Sequence, residues 1–112
     1  MIDLSTFSFL SKRIEFFIGV NSGTQITVAT ERGIVCQGTV EQCMSKLRDF
    51  AVRCQPDRQL RFNVGNSVSN HIQGMRSVAD DVKQHIKSYL TMMASSCRCK
   101  IEVYSGMNTL MA

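Results

Sequence analysis

The chain is expected to fold as an α+β two-layer sandwich. It should form a five-stranded mixed sheet, in the order β-β-β-α-β-α-β, with two helices on one face and the second helix long. Three observations predict this. Five short stretches alternate apolar and polar residues with a period of two, two further stretches repeat apolar residues at helical spacing, and four of the strands present one polar side. A strand that is apolar on one side belongs to a sheet covered on that side, so both amphipathic helices are placed there and the other face is left to water.

Size and composition agree with one domain spanning residues 1–112. A chain of that length buries roughly two thirds of its unfolded surface without staples. Hydrophobic residues make up 44% and charged residues 20%, ordinary usage for a folded domain. No apolar run approaches the roughly 20 residues of a membrane span, and the N-terminal stretch lacks a basic region before its short apolar patch. The five cysteines are an odd number scattered without a framework, which suits buried free thiols. A cytoplasmic protein with no membrane partner is the expectation. The net charge of +4 and pI near 9.0 permit an acidic partner without requiring one.

Residues 1–12 read as an arm whose Leu4, Phe7 and Leu10 must dock somewhere, and neither this arm nor the tail 105–112 need be ordered. In RIEFFIGV, Ile14, Phe16, Ile18 and Val20 face inward and Phe17 occupies the second face. Asn21-Ser22-Gly23 turns the chain into TQITVAT, and Glu31-Arg32-Gly33 turns it again into Ile34-Val35-Cys36, giving an antiparallel meander. Thr39 and Gln42 form a capping box ahead of a helix whose apolar face runs from Val40 to Cys54 and which Gln55-Pro56 ends. QLRFNV and CRCKIEVY supply the last two strands, with Leu60, Phe62, Val64, Cys97, Cys99, Ile101 and Val103 inward.

Between those strands lies the longest periodic stretch, Asn66 to Ser96, in which Val68, Ile72, Met75, Ala79, Val82, Ile86, Tyr89 and Met93 recur at steps of four and three. The spacing predicts one continuous helix of roughly 40 Å. Gly74 and the Ser77-Asp80 capping pattern allow an alternative start at Ser77. The narrow front seam, Val68, Ile72 and Met75 with Arg76 beside it, is the expected partner-binding surface, most simply for a second copy of the chain.

Chemistry-bearing residues do not assemble into a recognisable catalytic pattern. Cys97 and Cys99 share a strand face, but zinc sites normally need a second close pair. His71 and His85 fall on the side of the helix away from the seam, and no family signature surrounds a cysteine. Asp80 and Asp81 suit a helix N-terminus. No enzyme activity, cofactor or metal is expected.

The order of three strands, helix, strand, helix, strand, with GVNSGTQITVAT on the first hairpin, resembles the beginning of a ribonuclease H-like nuclease, whose GxDxGT-type turn holds a metal-binding Asp. The resemblance covers about the first 35 residues. Asn21 stands at that acidic position, so what the resemblance implies is a catalytically dead member, because a two-metal site needs anionic oxygen ligands.

Two binding functions follow. The first is a non-enzymatic protein-binding module, an adaptor or inhibitor that self-associates as a homodimer through the long helix. The second is nucleic-acid binding on the polar sheet face through Arg13, Phe17, Arg61, Arg98, Lys100 and Tyr104, with Lys46, Arg48, Arg53 and Arg58 adding charge nearby.

Overall fold

A computed structural model describes residues 12–20, 25–64, 79–105 and 109–110. In chain order it contains β1 (Arg13–Val20), β2 (Ile26–Thr30), β3 (Gly33–Gly38), α1 (Val40–Ala51), β4 (Gln59–Val64), α2 (Asp80–Ser96), β5 (Lys100–Ser105) and β6 (Thr109–Leu110). The strands form one mixed sheet in the order β3-β2-β1-β4-β5-β6. β1, β4 and β5 run parallel, while β2 is antiparallel to both β1 and β3. The five-stranded α+β sheet predicted from the alternation is therefore present, and the two-residue β6, antiparallel to β5, adds a short edge that the alternation did not reveal.

Both helices pack on one face, where alternate strand residues meet them. Ile14, Phe16 and Ile18 of β1, Leu60 and Phe62 of β4, Leu47 of α1 and Ile86 and Leu90 of α2 belong to one continuous core and are at most 2% exposed. Phe16 and Phe62 are register partners, and their rings stack with centroids 4.8 Å apart and planes 10° from parallel. Burying two aromatics of this size on adjacent central strands is a large share of the apolar surface that stabilises the sheet.

The capping box forms as the sequence predicts. Gln42 N–H donates to Thr39 Oγ1 at 3.2 Å and Thr39 N–H to Gln42 Oε1 at 3.0 Å. Gly38 precedes it because a Cβ there would lie 2.5 Å from Gln42 Oε1. Gly33 has φ 139°, a left-handed value that lets the β2–β3 turn reverse without a Cβ clash.

Four expectations need correction. Ala79 is extended (φ −64°, ψ 157°) and α2 begins at Asp80, so neither a continuous helix through residue 79 nor a start at Ser77 is observed. Asp80 and Asp81 instead open the first turn, where carboxylates favour the helix dipole, and Lys83 N–H makes a 2.8 Å bond to Ala79 O. α2 is still the longer helix, 17 residues against 12. Second, α1 stops at Ala51, short of Gln55-Pro56, because Arg53 N–H and Cys54 N–H fold back onto Phe50 O and Ala51 O, tightening the last turn. Third, β5 begins at Lys100, three residues later than the alternation from Cys97 suggested. Fourth, the helix-free face is not uniformly wet: Phe17, Thr27, Ala29 and Asn63 are all at most 8% exposed, and Phe17 and Ala29 form a second small apolar cluster with Ile34. The arm 1–11 and the seam residues Val68, Ile72, Met75 and Arg76 lie outside the described residues.

Candidate nucleic-acid interface

Parallel register fixes what the helix-free face looks like. Along β1, β4 and β5 it stacks three rows: Arg13, Gln59 and Lys100, then Glu15, Arg61 and Glu102, then Phe17, Asn63 and Tyr104. The middle row is internally neutralised. Arg61 lies between two carboxylates, with Nη1 at 3.8 Å from Glu15 Oε1 and Nε at 3.9 Å from Glu102 Oε1, and its guanidinium sits 4.7 Å over the Tyr104 ring. Asn63 Nδ2 donates to Phe16 O at 3.0 Å and to Glu15 Oε1 at 3.3 Å, which closes the third row. Of the six residues nominated from sequence, Phe17 is therefore 8% exposed and packed inward, and Arg61 and Tyr104 are engaged with one another. Arg13, Arg98 and Lys100 are exposed.

Those three exposed cations mark one end of the sheet, where β1, β4 and β5 all begin. Gln59 N–H donates to Lys12 O at 2.6 Å and Lys100 N–H to Arg58 O at 3.0 Å, so the segments preceding the three strands lie side by side. Lys12 and Arg13, Arg58, and Arg98 and Lys100 are thus collected by backbone pairing. The end of α1 joins them. Its Phe50 ring lies 5.8 Å from the Arg58 guanidinium, Arg53 Nε donates to Asp49 O at 2.9 Å, and Cys99 Sγ reaches Ala51 O at 3.7 Å. Arg48 and Arg58 sit close enough to the thiols Cys97, Cys54 and Cys99 to pull against the rise that burial imposes on each. Burial wins in all three, so they remain neutral thiols at neutral pH and add no negative charge.

Seven cations thus gather at this end against two carboxylates, Asp49 and Asp57, of which Asp57 makes a long 3.8 Å exposed pair with Lys12. A pair this exposed is worth little. Helices α1 and α2 both finish here, and their C-terminal dipoles supply about one further unit of negative charge between them. The imbalance is larger than the chain's whole net charge of +4, so the remainder of the molecule is near neutral.

Lys46, grouped with this set from sequence, is elsewhere: its Nζ donates to Val35 O at 2.8 Å on the edge strand. The sequence carried a signal for the site that the alternation argument did not use. Basic residues precede each of three predicted strands (Lys12-Arg13, Arg58, Arg98), and they converge once those strands are parallel.

Other candidates are simply located. His85 is half exposed and lies 3.4 Å from Glu41 across the α1–α2 contact, while His71 and Asn21 fall outside the described residues. Among the described residues no group of three or more His, Cys, Asp or Glu converges as a metal site, and no helix is long and apolar enough to cross a membrane. The chain matches no protein-family model, and neither the curated proteins nor the solved structures contain a significant match to it.

Proposed function

We propose that the chain binds nucleic acid by its phosphate backbone, through the basic end of the sheet. The observation that supports this is the gathering of seven cations, drawn from three strand starts and the end of α1, against two carboxylates. Surface cations scattered on a sheet are ordinary, but a single-sign cluster focuses potential and attracts polyanions. Base stacking is a small part of the reading, because Phe17 is buried and the Tyr104 ring lies beneath Arg61. Recognition is accordingly of phosphate spacing, with little sequence preference.

Fluorescence anisotropy with single- and double-stranded oligonucleotides at low salt tests it. The triple variant Arg13→Glu, Arg98→Glu, Lys100→Glu should lose binding, while reversing Lys83 and Lys87 on α2 should leave most of it. Absence of binding by the unaltered chain, or equal loss in both variants, rejects the proposal. The element order that carries the ribonuclease H-like resemblance is compatible with it, as a member that holds a strand without cutting it.

Self-association of a protein-binding module is a second reading, with one favouring observation of its own. Met92 is 66% exposed on the outer side of α2, among hydroxyls that already donate to their own helix: Ser88 to Gln84 O, Thr91 to Lys87 O, and Ser95 and Ser96 to Met92 O. Covering such a face strands no charge and few unpaired donors. Light scattering at high micromolar concentration should then show a dimer that Met92→Asp dissociates, and a monomeric unaltered chain rejects this reading.

A further inference from the structure

Two of the five thiols stand apart from the rest in what they touch. Cys54 donates to Phe50 O at 3.4 Å and Cys99 to Ala51 O at 3.7 Å, the backbone contacts usual for a buried cysteine. Cys36 instead points at Cys43, with the sulfurs 3.0 Å apart, about 1 Å more than the bond length of a disulfide. The approach is enforced from both sides of the connection. Cys36 is fixed in β3 by pairing with Val28 of β2, and Cys43 N–H bonds Thr39 O in the first turn of α1. Between them the Thr39 and Gln42 box sets the direction of the helix, and the Lys46 ammonium on Val35 O clamps α1 to the strand. The two sulfurs are held together by elements that would have to be dismantled to part them.

We propose that Cys36 and Cys43 are a two-electron redox couple, which closes to an intramolecular disulfide by exchange with a small-molecule disulfide of the glutathione type and thereby ties the edge strand β3 to α1. Cys36, 8% exposed on an edge strand, is the entry point, and Cys43 is fully enclosed. The Cys36 thiolate attacks one sulfur of the external disulfide, whose other half leaves as a thiolate. Cys43 then gives up its proton to that thiolate and attacks the Cys36 sulfur, displacing the second half. Two protein S–H bonds and one external S–S bond are broken; one protein S–S bond and two external S–H bonds are formed. The protein loses two electrons and two protons, and the external disulfide gains them. Burial holds the Cys43 thiol protonated well above the ordinary thiol range, so closure is expected to be slow and to speed up with rising pH.

The test equilibrates the full chain with mixtures of reduced and oxidised glutathione, alkylates the remaining thiols, and maps the peptides by mass spectrometry. The expected product has lost two hydrogens and carries a Cys36–Cys43 link, with Cys54, Cys97 and Cys99 alkylated. Cys36→Ser and Cys43→Ser should each abolish the link, and Cys54→Ser should retain it. The unaltered chain treated in urea serves as a control independent of how the variants fold: removing the enforced geometry should lower the yield of this link about tenfold at the same glutathione ratio. Five alkylated thiols at every ratio, a mixed disulfide that stops at Cys36, or the same yield in urea would each overturn the proposal.

Discussion

The salt dependence of nucleic-acid binding is the measurement most directly set by the basic end. Each phosphate neutralised by a bound cation releases condensed counterions, so the affinity for a single strand falls with salt at a logarithmic slope of about −0.7 per contact. If about five of the seven cations there engage phosphates, the slope is about −3.5. Raising salt from about 50 to 200 mM then weakens binding by about a hundredfold. Replacing Arg13, Arg98 and Lys100 with alanine removes three exposed contacts without adding repulsion. The slope should shrink to about −1.4, and the same salt change should then cost only about sevenfold. Anisotropy titrations of a labelled oligonucleotide at four salt concentrations give both slopes. An alanine variant whose slope equals that of the unaltered chain would refute the reasoning, because it would mean that these cations do not face the phosphates. Loss of affinity with unchanged slope would point to a folding defect instead, and circular dichroism separates that outcome.

Three further outcomes test the fold. Phe62→Ala empties a fully buried site and removes the ring stacked on Phe16, and should cost about 3–5 kcal/mol in urea unfolding; a loss below about 1 kcal/mol would contradict the packing described. Thr39→Ala removes one of the two capping-box bonds and should lower stability by about 1 kcal/mol, seen as a reduced urea midpoint at unchanged m-value. Stability should also decline at alkaline pH. Burial raises the thiols of Cys43, Cys54, Cys97 and Cys99 above their ordinary value of 9.0, so the folded chain holds protons that the unfolded chain releases. Their contribution is whole below pH 9 and diminishes as the pH climbs above it; a urea midpoint that stays level from pH 8 to 10.5 would show these thiols titrating alike in both states.

Local pattern was enough wherever a residue's neighbours along the chain decide its environment. The alternation in RIEFFIGV and QLRFNV gave strands with the expected inward residues, and Gln59–Val64 matches its predicted span. Thr39 and Gln42 announced the start of α1 because a capping box is made within four residues. The same reasoning overextended α2, since the apolar repeat continues across Ala79 while the backbone there is extended. Periodicity records which side chains could share a face, not where the hydrogen-bond ladder stops.

The candidate site was legible only in part for a related reason. Arg13, Arg61 and Arg98 look equivalent in a sequence, each a cation at an outward strand position. Parallel pairing of β1, β4 and β5 sets Arg61 between Glu15 and Glu102 and leaves the other two beside Lys100 at the rim. By itself the sequence determined the elements, the face each presents to the core and the basic character of the chain, because these follow from side-chain order over a few residues. Which charges cancel, which accumulate, and which two of five thiols meet were decided by the tertiary structure, since electrostatic and covalent chemistry depend on distances between residues as far apart as Arg13 and Lys100 that only strand register can set.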